Sequence, residues 1–423
     1  MPGSGPRLGA DFARLWTAST ASALGSGLAR VATPLLVARG TDDPLAVALA
    51  TAVSWLPWLL FALPGGVLVD RVDRRRLMVT LDLVRVVAVG ALAVAVAGGS
   101  PPVGVLYTVL FVEATAEIVF RSASQAFIPA VVPAGRLERA NSWLFGGTTM
   151  AQQLVAGPLG GFLFTVAAAV PFAVNSGSYA VSATLVALVA GGARARPRPE
   201  AAAAAARRSL RAEVAEGFRF LLGQRLLRTM VLLIGLLNLT LTAATSVLVL
   251  LARDRLGLGE VGYGLLFTAM AVGGVVGSLF ADRLIAWATP TWTIRIGLLV
   301  EAALHLVLAS STSPVLVAVF FVAFGVHGAL WGTVGLSLRQ RLTPPEMLGR
   351  VGSTSLFLSA GGNCLGALLG GGLATWLGLT APYWIGFVVA ALVAAVTWRV
   401  FDRATVAAAY AQQPAHQTAD RPA

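Results

Sequence analysis

The chain has 423 residues, 57% hydrophobic and 12% charged, and its mean hydropathy of +0.79 excludes an ordinary water-soluble globule. The formal net charge of +12 is carried by arginine alone, because the sequence has no lysine, and the arginines lack the interleaved aromatics that a nucleic-acid surface requires. The single cysteine, Cys364, excludes an intrachain disulfide or a cysteine-based metal cluster and is expected as a small buried thiol.

A bilayer core about 30 Å thick needs roughly 20 apolar residues per helix. That window predicts about twelve spans, at 13–38, 45–69, 77–97, 103–128, 141–166, 171–192, 229–252, 260–281, 292–311, 315–337, 351–377 and 382–401. Strand-length alternation is absent, which argues against a barrel. The first apolar run continues past Pro34 without a small-residue cleavage site and is expected as a retained span.

With the N-terminus inside, Arg71, Arg74, Arg75, Arg76, Arg136, Arg139, Arg283, Arg339, Arg341 and the cluster from Arg194 to Arg228 fall in inner loops. Only Arg39, Arg253 and Arg255 fall outside, so the positive-inside rule places both termini in the cytoplasm of a plasma (inner) membrane protein. Residues 194–227 open with a Pro/Arg/Ala linker. Leu210, Val214, Phe218, Leu221 and Leu222 then recur at helical spacing, predicting an amphipathic helix on the inner membrane surface. The expected organisation is a six-helix bundle over 1–193, this linker, a second six-helix bundle over 228–402, and a disordered cytoplasmic tail over 403–423.

Between spans two and three the chain reads Gly66-Val67-Leu68-Val69-Asp70-Arg71-Val72-Asp73-Arg74-Arg75. This resembles the signature loop of the major facilitator superfamily, Gly-x-x-x-Asp-Arg-x-Gly-Arg-Arg, with Asp73 where the family usually has glycine. The loop recurs as Gly277-Ser278-Leu279-Phe280-Ala281-Asp282-Arg283. Pro133, Leu137 and Arg139 are likewise repeated as Pro344, Leu348 and Arg350, and Gly160-Gly161 as Gly371-Gly372 at the same offset. Two similar halves follow, consistent with the parallel repeats of a facilitator fold: an all-α membrane protein of two pseudo-symmetric six-helix bundles. The resemblance implies conformational switching by Asp70, Arg71 and Arg74, and the repeat extends a cytoplasmic gate to Asp282 and Arg283. The plain alternative is that these arginines only fix topology, which suffices for Arg75 and Arg76.

Span five carries Gly157-Pro158-Leu159-Gly160-Gly161, which resembles the glycine-proline element of facilitator antiporters with one residue missing from its spacing. It is expected to serve as a hinge or as a close-packing surface.

Ionisable residues inside spans are costly, about 2.5–3.5 kcal/mol each on the insertion scale, and therefore point to function. Glu113, Glu117 and Arg121 follow at i, i+4 and i+8 on span four, and Arg30 lies at similar depth on span one. The resemblance implies that spans one, four, seven and ten line a central cavity. Glu117 with Glu113 is accordingly expected to bind the coupling proton while Arg30 modulates both; the alternative is a static set of ion pairs. His327, near the centre of span ten, is a further candidate beside a structural reading. Glu301 and His305 are expected to share a structural hydrogen bond, and Asp82 and Arg85 to join the cytoplasmic charge network.

No Walker loop, HExxH or hydrolase triad setting occurs, so neither an enzyme nor a nucleotide-driven pump is expected. The loop, the half-repeat and EGFRFLLGQRLL resemble the branch holding macrolide-efflux proteins and siderophore exporters, although the arginine-glutamine-glycine pattern of drug antiporters is absent after Arg121. The resemblance implies a proton-coupled exporter of a bulky amphipathic small molecule, acting as a monomer in the bilayer with no cofactor beyond the proton gradient. An importer or uniporter of the same fold, or a receptor-like or lipid-scrambling descendant, remains open.

Overall fold

The computed structural model describes residues 8–99, 101–190, 210–344 and 347–411. Its helices, in chain order, are α1 Ala10–Gly40, α2 Pro44–Arg71, α3 Arg74–Ala97, α4 Val103–Val131, α5 Leu137–Thr149, α6 Ala156–Val166 and α7 Val170–Ala187. They continue with α8 Leu210–Gly223, α9 Arg225–Ser246, α10 Leu248–Asp254, α11 Glu260–Leu279, α12 Ala281–Ser310, α13 Pro314–Leu342, α14 Leu348–Leu377, α15 Ala381–Thr397 and α16 Arg403–Ala411. Nine of the described helices are long and apolar enough to cross a membrane; α7, α15 and the segmented run from α5 to α6 complete the twelve expected spans.

The chain divides into two compact units. The first comprises Met1–Gly40, Leu56–Pro197 and Glu260–Thr268, and the second Thr41–Trp55, Arg198–Gly259 and Ala269–Ala423. The division therefore cuts through α2 and α11, whereas the sequence pattern suggests a boundary only at the linker. The first unit closes on a core built from Leu15, Met78, Phe120, Phe127 and Val186, contributed by α1, α3, α4 and α7. The second is organised around Met230, Leu298, Val334, Leu338 and Phe401. Lipid tails are as apolar as these side chains, so close packing and polar satisfaction, not removal of apolar surface from water, hold the helices together within the bilayer.

Local chemistry sets the breaks between helices. Asp73 occupies the N-cap of α3, where its Oδ1 accepts the Arg76 amide at 2.9 Å. Aspartate is a good N-cap because its carboxylate satisfies an otherwise orphaned amide and complements the helix dipole. In span five, a π-helical turn over Met150–Val155 separates α5 from α6. Pro158, three residues beyond it, has no amide to return to the preceding turn, so the backbone rearranges there. Within α12, Thr289 adopts φ +65° immediately before Pro290, which disfavours a helical conformation in the residue preceding it.

Two expectations change outside the spans. The tail expected to be disordered from 403 begins with α16, whose Val406 and Ala409 are buried against the second core; residues 412–423 lie outside the described residues. Asp402 starts this helix by accepting the Thr405 amide and hydroxyl at 2.8 and 2.7 Å. The linker stretch up to 209 also lies outside the described residues. Of the amphipathic stripe, Leu221 is buried with Leu227, Val231 and Val351, while Phe218 and Leu222 are exposed. Gly217 lets α8 approach the Arg350 carbonyl on α14, and Glu216 pairs with Arg350 at 2.9 Å.

Candidate functional site: a buried polar cluster in the first unit

Four helices of the first unit bring their polar side chains to one place. Tyr179 on α7 donates its hydroxyl to Glu113 Oε1 on α4 at 2.5 Å, and Asn175, one turn away, donates to the same oxygen at 3.3 Å. Ser26 on α1 lies 2.9 Å from the Tyr179 oxygen; with the tyrosine proton committed to Glu113, the serine is the donor. On α3, Arg85 pairs with Asp82 at 3.4 Å and donates to Ser22 at 3.1 Å, while its guanidinium stands over the Tyr179 ring at 4.5 Å. Asp82 and Arg85 are 0% exposed and Glu113 is 8% exposed.

The approach of α1 and α7 depends on Gly25, where any Cβ would collide with the Asn175 and Ser178 side chains. Glu117 lies one turn beyond Glu113 and is half-buried, and it accepts from Gln152 Nε2 at 3.3 Å. Gln152 sits in the π turn, so this rearranged backbone carries the side chain that joins span five to α4. The Gln152 carbonyl in turn packs against Gly27 of α1.

This arrangement revises the roles read from sequence. The arginine adjoining Glu113 is Arg85, which belongs to the interior of the bundle and not to a cytoplasmic network. Arg30 is exposed on α1, and Arg121, also exposed, faces the Trp58 ring at 6.0 Å. Asn175, Tyr179, Gln152 and Arg85 were not read as site residues. Their sequence signal is the run of polar residues at helical spacing on span six, Asn175, Tyr179 and Ser182, which the intervening Ser176 and Ser178 obscure.

His327 lies in the second unit, buried between Phe324 and Trp331 and pressed against Gly297 of α12. His305 is held in the same manner against Gly386 of α15. Its Nδ1 meets the Glu301 backbone carbonyl at 2.9 Å, whereas the Glu301 carboxylate stands 4.0 Å away, so the expected side-chain bond is replaced by a bond to backbone.

At the signature loop, the side chains of Asp70 and Arg71 lie outside the described residues. Arg74 donates to the Ala126 carbonyl at 3.0 Å and Arg75 to the Ala187 carbonyl, so both arginines bind carbonyls toward the C-terminal ends of α4 and α7. Asp282 and Arg283 are exposed in the first turn of α12.

The span-five glycines separate by partner. Gly160 meets Leu28 and Val31 of α1, whereas a Cβ on Gly161 would strike the Glu260 carbonyl at the start of α11, and Gly157 likewise abuts Gly264. On α14, Gly370 meets Ala243 of α9, Gly371 meets Leu45 and Ala48 of α2, and Gly372 has open space. The structural repeat therefore pairs Gly160-Gly161 with Gly370-Gly371, one residue earlier than the sequence alignment. Two ion pairs sit beside these glycine contacts, Arg39 with Glu260 at 2.9 Å in the first unit and Arg253 with Asp42 at 2.8 Å in the second.

With nine membrane-capable helices among the described residues and a family model over nearly its whole length, the chain is a multi-pass transporter of the major facilitator type, not an enzyme. The chain belongs to the transmembrane secretion effector family of that superfamily, whose model matches residues 5–420. It is 25% identical over 367 residues to the enterobactin exporter EntS of Escherichia coli O139:H28, a match covering 86% of this chain and 85% of the relative. It is 27% identical over 128 residues to macrolide efflux protein A of Streptococcus pyogenes; that match spans 30% of this chain and only 32% of the relative's length.

Among solved structures, the D323A mutant of nucleoside transporter NupG superposes with a TM-score of 0.76 at 9% identity, covering 93% of this chain and 100% of NupG. A bacterial homologue of ferroportin in the inward-facing state gives 0.71 at 17%, covering 93% and 99%. At these identities the likeness carries the fold.

Proposed function

We propose that this protein is a proton-coupled exporter of bulky, amphipathic small molecules, working by alternating access in the plasma membrane with both termini cytoplasmic. The observation that carries the reading is Glu113: a carboxyl in the interior of a membrane bundle, held by two neutral donors, Tyr179 and Asn175, beside the Asp82–Arg85 pair. A carboxyl so placed exchanges a proton at the cost of rearranging hydrogen bonds that tie α4 to α7.

Glu117 passes that change to span five through Gln152 and the π turn. Arg30 supplies an exposed positive charge on α1 for substrate contact, and His327 a buried polar group in the second unit. The turns bearing Asp70, Arg71 and Arg74, and Asp282 and Arg283, act as the cytoplasmic switch. Gly157, Pro158, Gly160 and Gly161 provide the close-packed, bendable seam of span five. Outward direction is supported by two relatives, one named for macrolide efflux and the other for enterobactin export.

The test is transport in proteoliposomes with an imposed pH gradient, across a panel of macrolides, siderophores and amphipathic dyes. The reading expects flux of at least one class that collapses when the gradient is dissipated. Flux that ignores the gradient across the panel, or none at all, contradicts it.

A further inference from the structure

In the second unit, α12 and α15 leave between them an open, apolar groove of about 400 Å³. Leu299, Ala302 and Leu306 line it from α12, and Phe387, Ala391, Ala395 and the C-cap Trp398 from α15. Both sets recur at three- to four-residue spacing, so each is a single stripe down its helix. The stripes extend roughly 10 Å on α12 and 16 Å on α15 at 1.5 Å per residue. The lining mixes alanines with larger apolar side chains and is almost wholly apolar, as an acyl chain requires.

One turn beyond Leu299 on the same stripe stands Arg295. Its Nη2 donates to the Trp398 carbonyl at 2.8 Å, and its guanidinium faces the rings of Trp398 at 4.5 Å and Trp292 at 5.5 Å. The two tryptophans are themselves edge-to-face at 6.0 Å. This fixes a planar cation at one end of the slot. Arg399 follows Trp398 and is exposed, as is Arg403 at the start of α16. The carboxylate near them, Asp402, is occupied with the Thr405 amide and hydroxyl. Against that one engaged carboxylate, Arg295 with the sequence neighbours Arg399 and Arg403 gives this stretch of the chain a positive surplus.

We infer that this groove is a binding site for an anionic phospholipid, with an acyl chain in the slot and the headgroup phosphate on Arg295 and Arg399. Arginine pairs phosphate through its fork of donors, tryptophan sits where apolar and polar layers of a bilayer meet, and basic pockets between spans select acidic lipids. A zwitterionic lipid fills the slot equally well and gains less at its end. The site acts on the second unit whatever the protein transports.

Native mass spectrometry of the full chain, released from detergent containing equal phosphatidylglycerol and phosphatidylcholine of identical acyl chains, reads the preference directly. The wild type retains one phosphatidylglycerol in preference to phosphatidylcholine. Arg295→Gln lowers that ratio about tenfold, the loss of one charge-assisted phosphate contact. Ala391→Phe, which fills the slot and leaves the arginines in place, removes retention of both lipids. Glycerol 3-phosphate at the same concentration does not displace the lipid.

Should Arg295→Gln melt far below wild type in lipid-free detergent, the exposed pair Arg399→Gln with Arg403→Gln takes its place, with the same direction expected. Equal retention of both lipids by the wild type overturns the inference. An unchanged ratio in the folded arginine variant, full retention by Ala391→Phe, or displacement by glycerol 3-phosphate does so too.

Discussion

The hydroxyl of Tyr179 donates to Glu113 at 2.5 Å while the face of the same ring receives the guanidinium of Arg85 at 4.5 Å. One side chain on α7 thus touches both an acid on α4 and a base on α3, and Ser26 of α1 completes the ring of four helices. A change at the acid is felt by every helix of that cluster, which is what coupling a proton to a helix rearrangement requires.

Tyr179→Phe removes the shortest of these bonds and leaves Glu113 with Asn175. The expected loss is about 1–3 kcal/mol, the cost of leaving a buried acceptor short of a donor. Ser26→Ala spares the Glu113 bond and is expected to cost about 0.5–1.5 kcal/mol. Thermal unfolding in one detergent compares them; a Tyr179→Phe loss no larger than that of Ser26→Ala would contradict the hierarchy.

The glycine contacts make a sharper pair. Gly161→Val and Gly371→Val place atoms against the Glu260 carbonyl and against Leu45 and Ala48, and both are expected to lose stability and transport. Gly372→Ala meets nothing within 4 Å and is expected to be silent. Equal effects at Gly371 and Gly372 would restore the register read from the sequence repeat.

Asp73 is expected to behave as a helix cap. Asp73→Ala costs about 0.5–2 kcal/mol, whereas Asp73→Gly, which installs the residue usual at this position in the superfamily, costs only a few tenths. Melting temperatures of the two variants decide this; equal losses would deny the capping role.

At α16 the prediction is a pH dependence. The Thr405 amide and hydroxyl hold the Asp402 carboxyl below its ordinary value of 3.8. A depressed carboxyl contributes stability above its unfolded value and loses it as pH falls through the folded one. Hydrogen exchange over 403–411, corrected for the intrinsic rate, should show protection at pH 6 that weakens below about pH 3.8. Asp402→Asn should flatten the profile, and protection unchanged down to pH 2 would contradict the assignment.

The helices were legible because lipid demands long apolar runs, and the repeat was legible because the two copies of Asp-Arg and of Pro…Leu-x-Arg survive in both halves. Asp73 stands where the motif usually has glycine, and its contact with Arg76 makes it a cap, a role that a family pattern built on glycine hides. The repeat slipped by one residue at Gly371 because three successive glycines, Gly370 to Gly372, are equivalent as letters and differ only in what each one faces. The cluster was half visible. Spacing along α4 exposes Glu113 and Glu117, but the partners of a buried carboxyl come from other helices, and no periodicity within one span reports that Tyr179, Asn175 and Arg85 converge on it. Arg85 was misplaced because its charge suggested a link to the loop arginines, whereas it stands at the middle of α3, where the packing of α4 and α7 encloses it fully.

The most direct test of the account is Glu113→Gln in proteoliposomes, comparing substrate flux driven by a pH gradient with substrate exchange at equal pH on both sides. The neutral amide keeps the shape of the cluster and cannot carry the proton. Gradient-driven flux is expected to fall at least about tenfold, the effect of about 1.4 kcal/mol, while exchange at equal pH persists. Gradient-driven flux at the wild-type rate in Glu113→Gln would contradict the central claim.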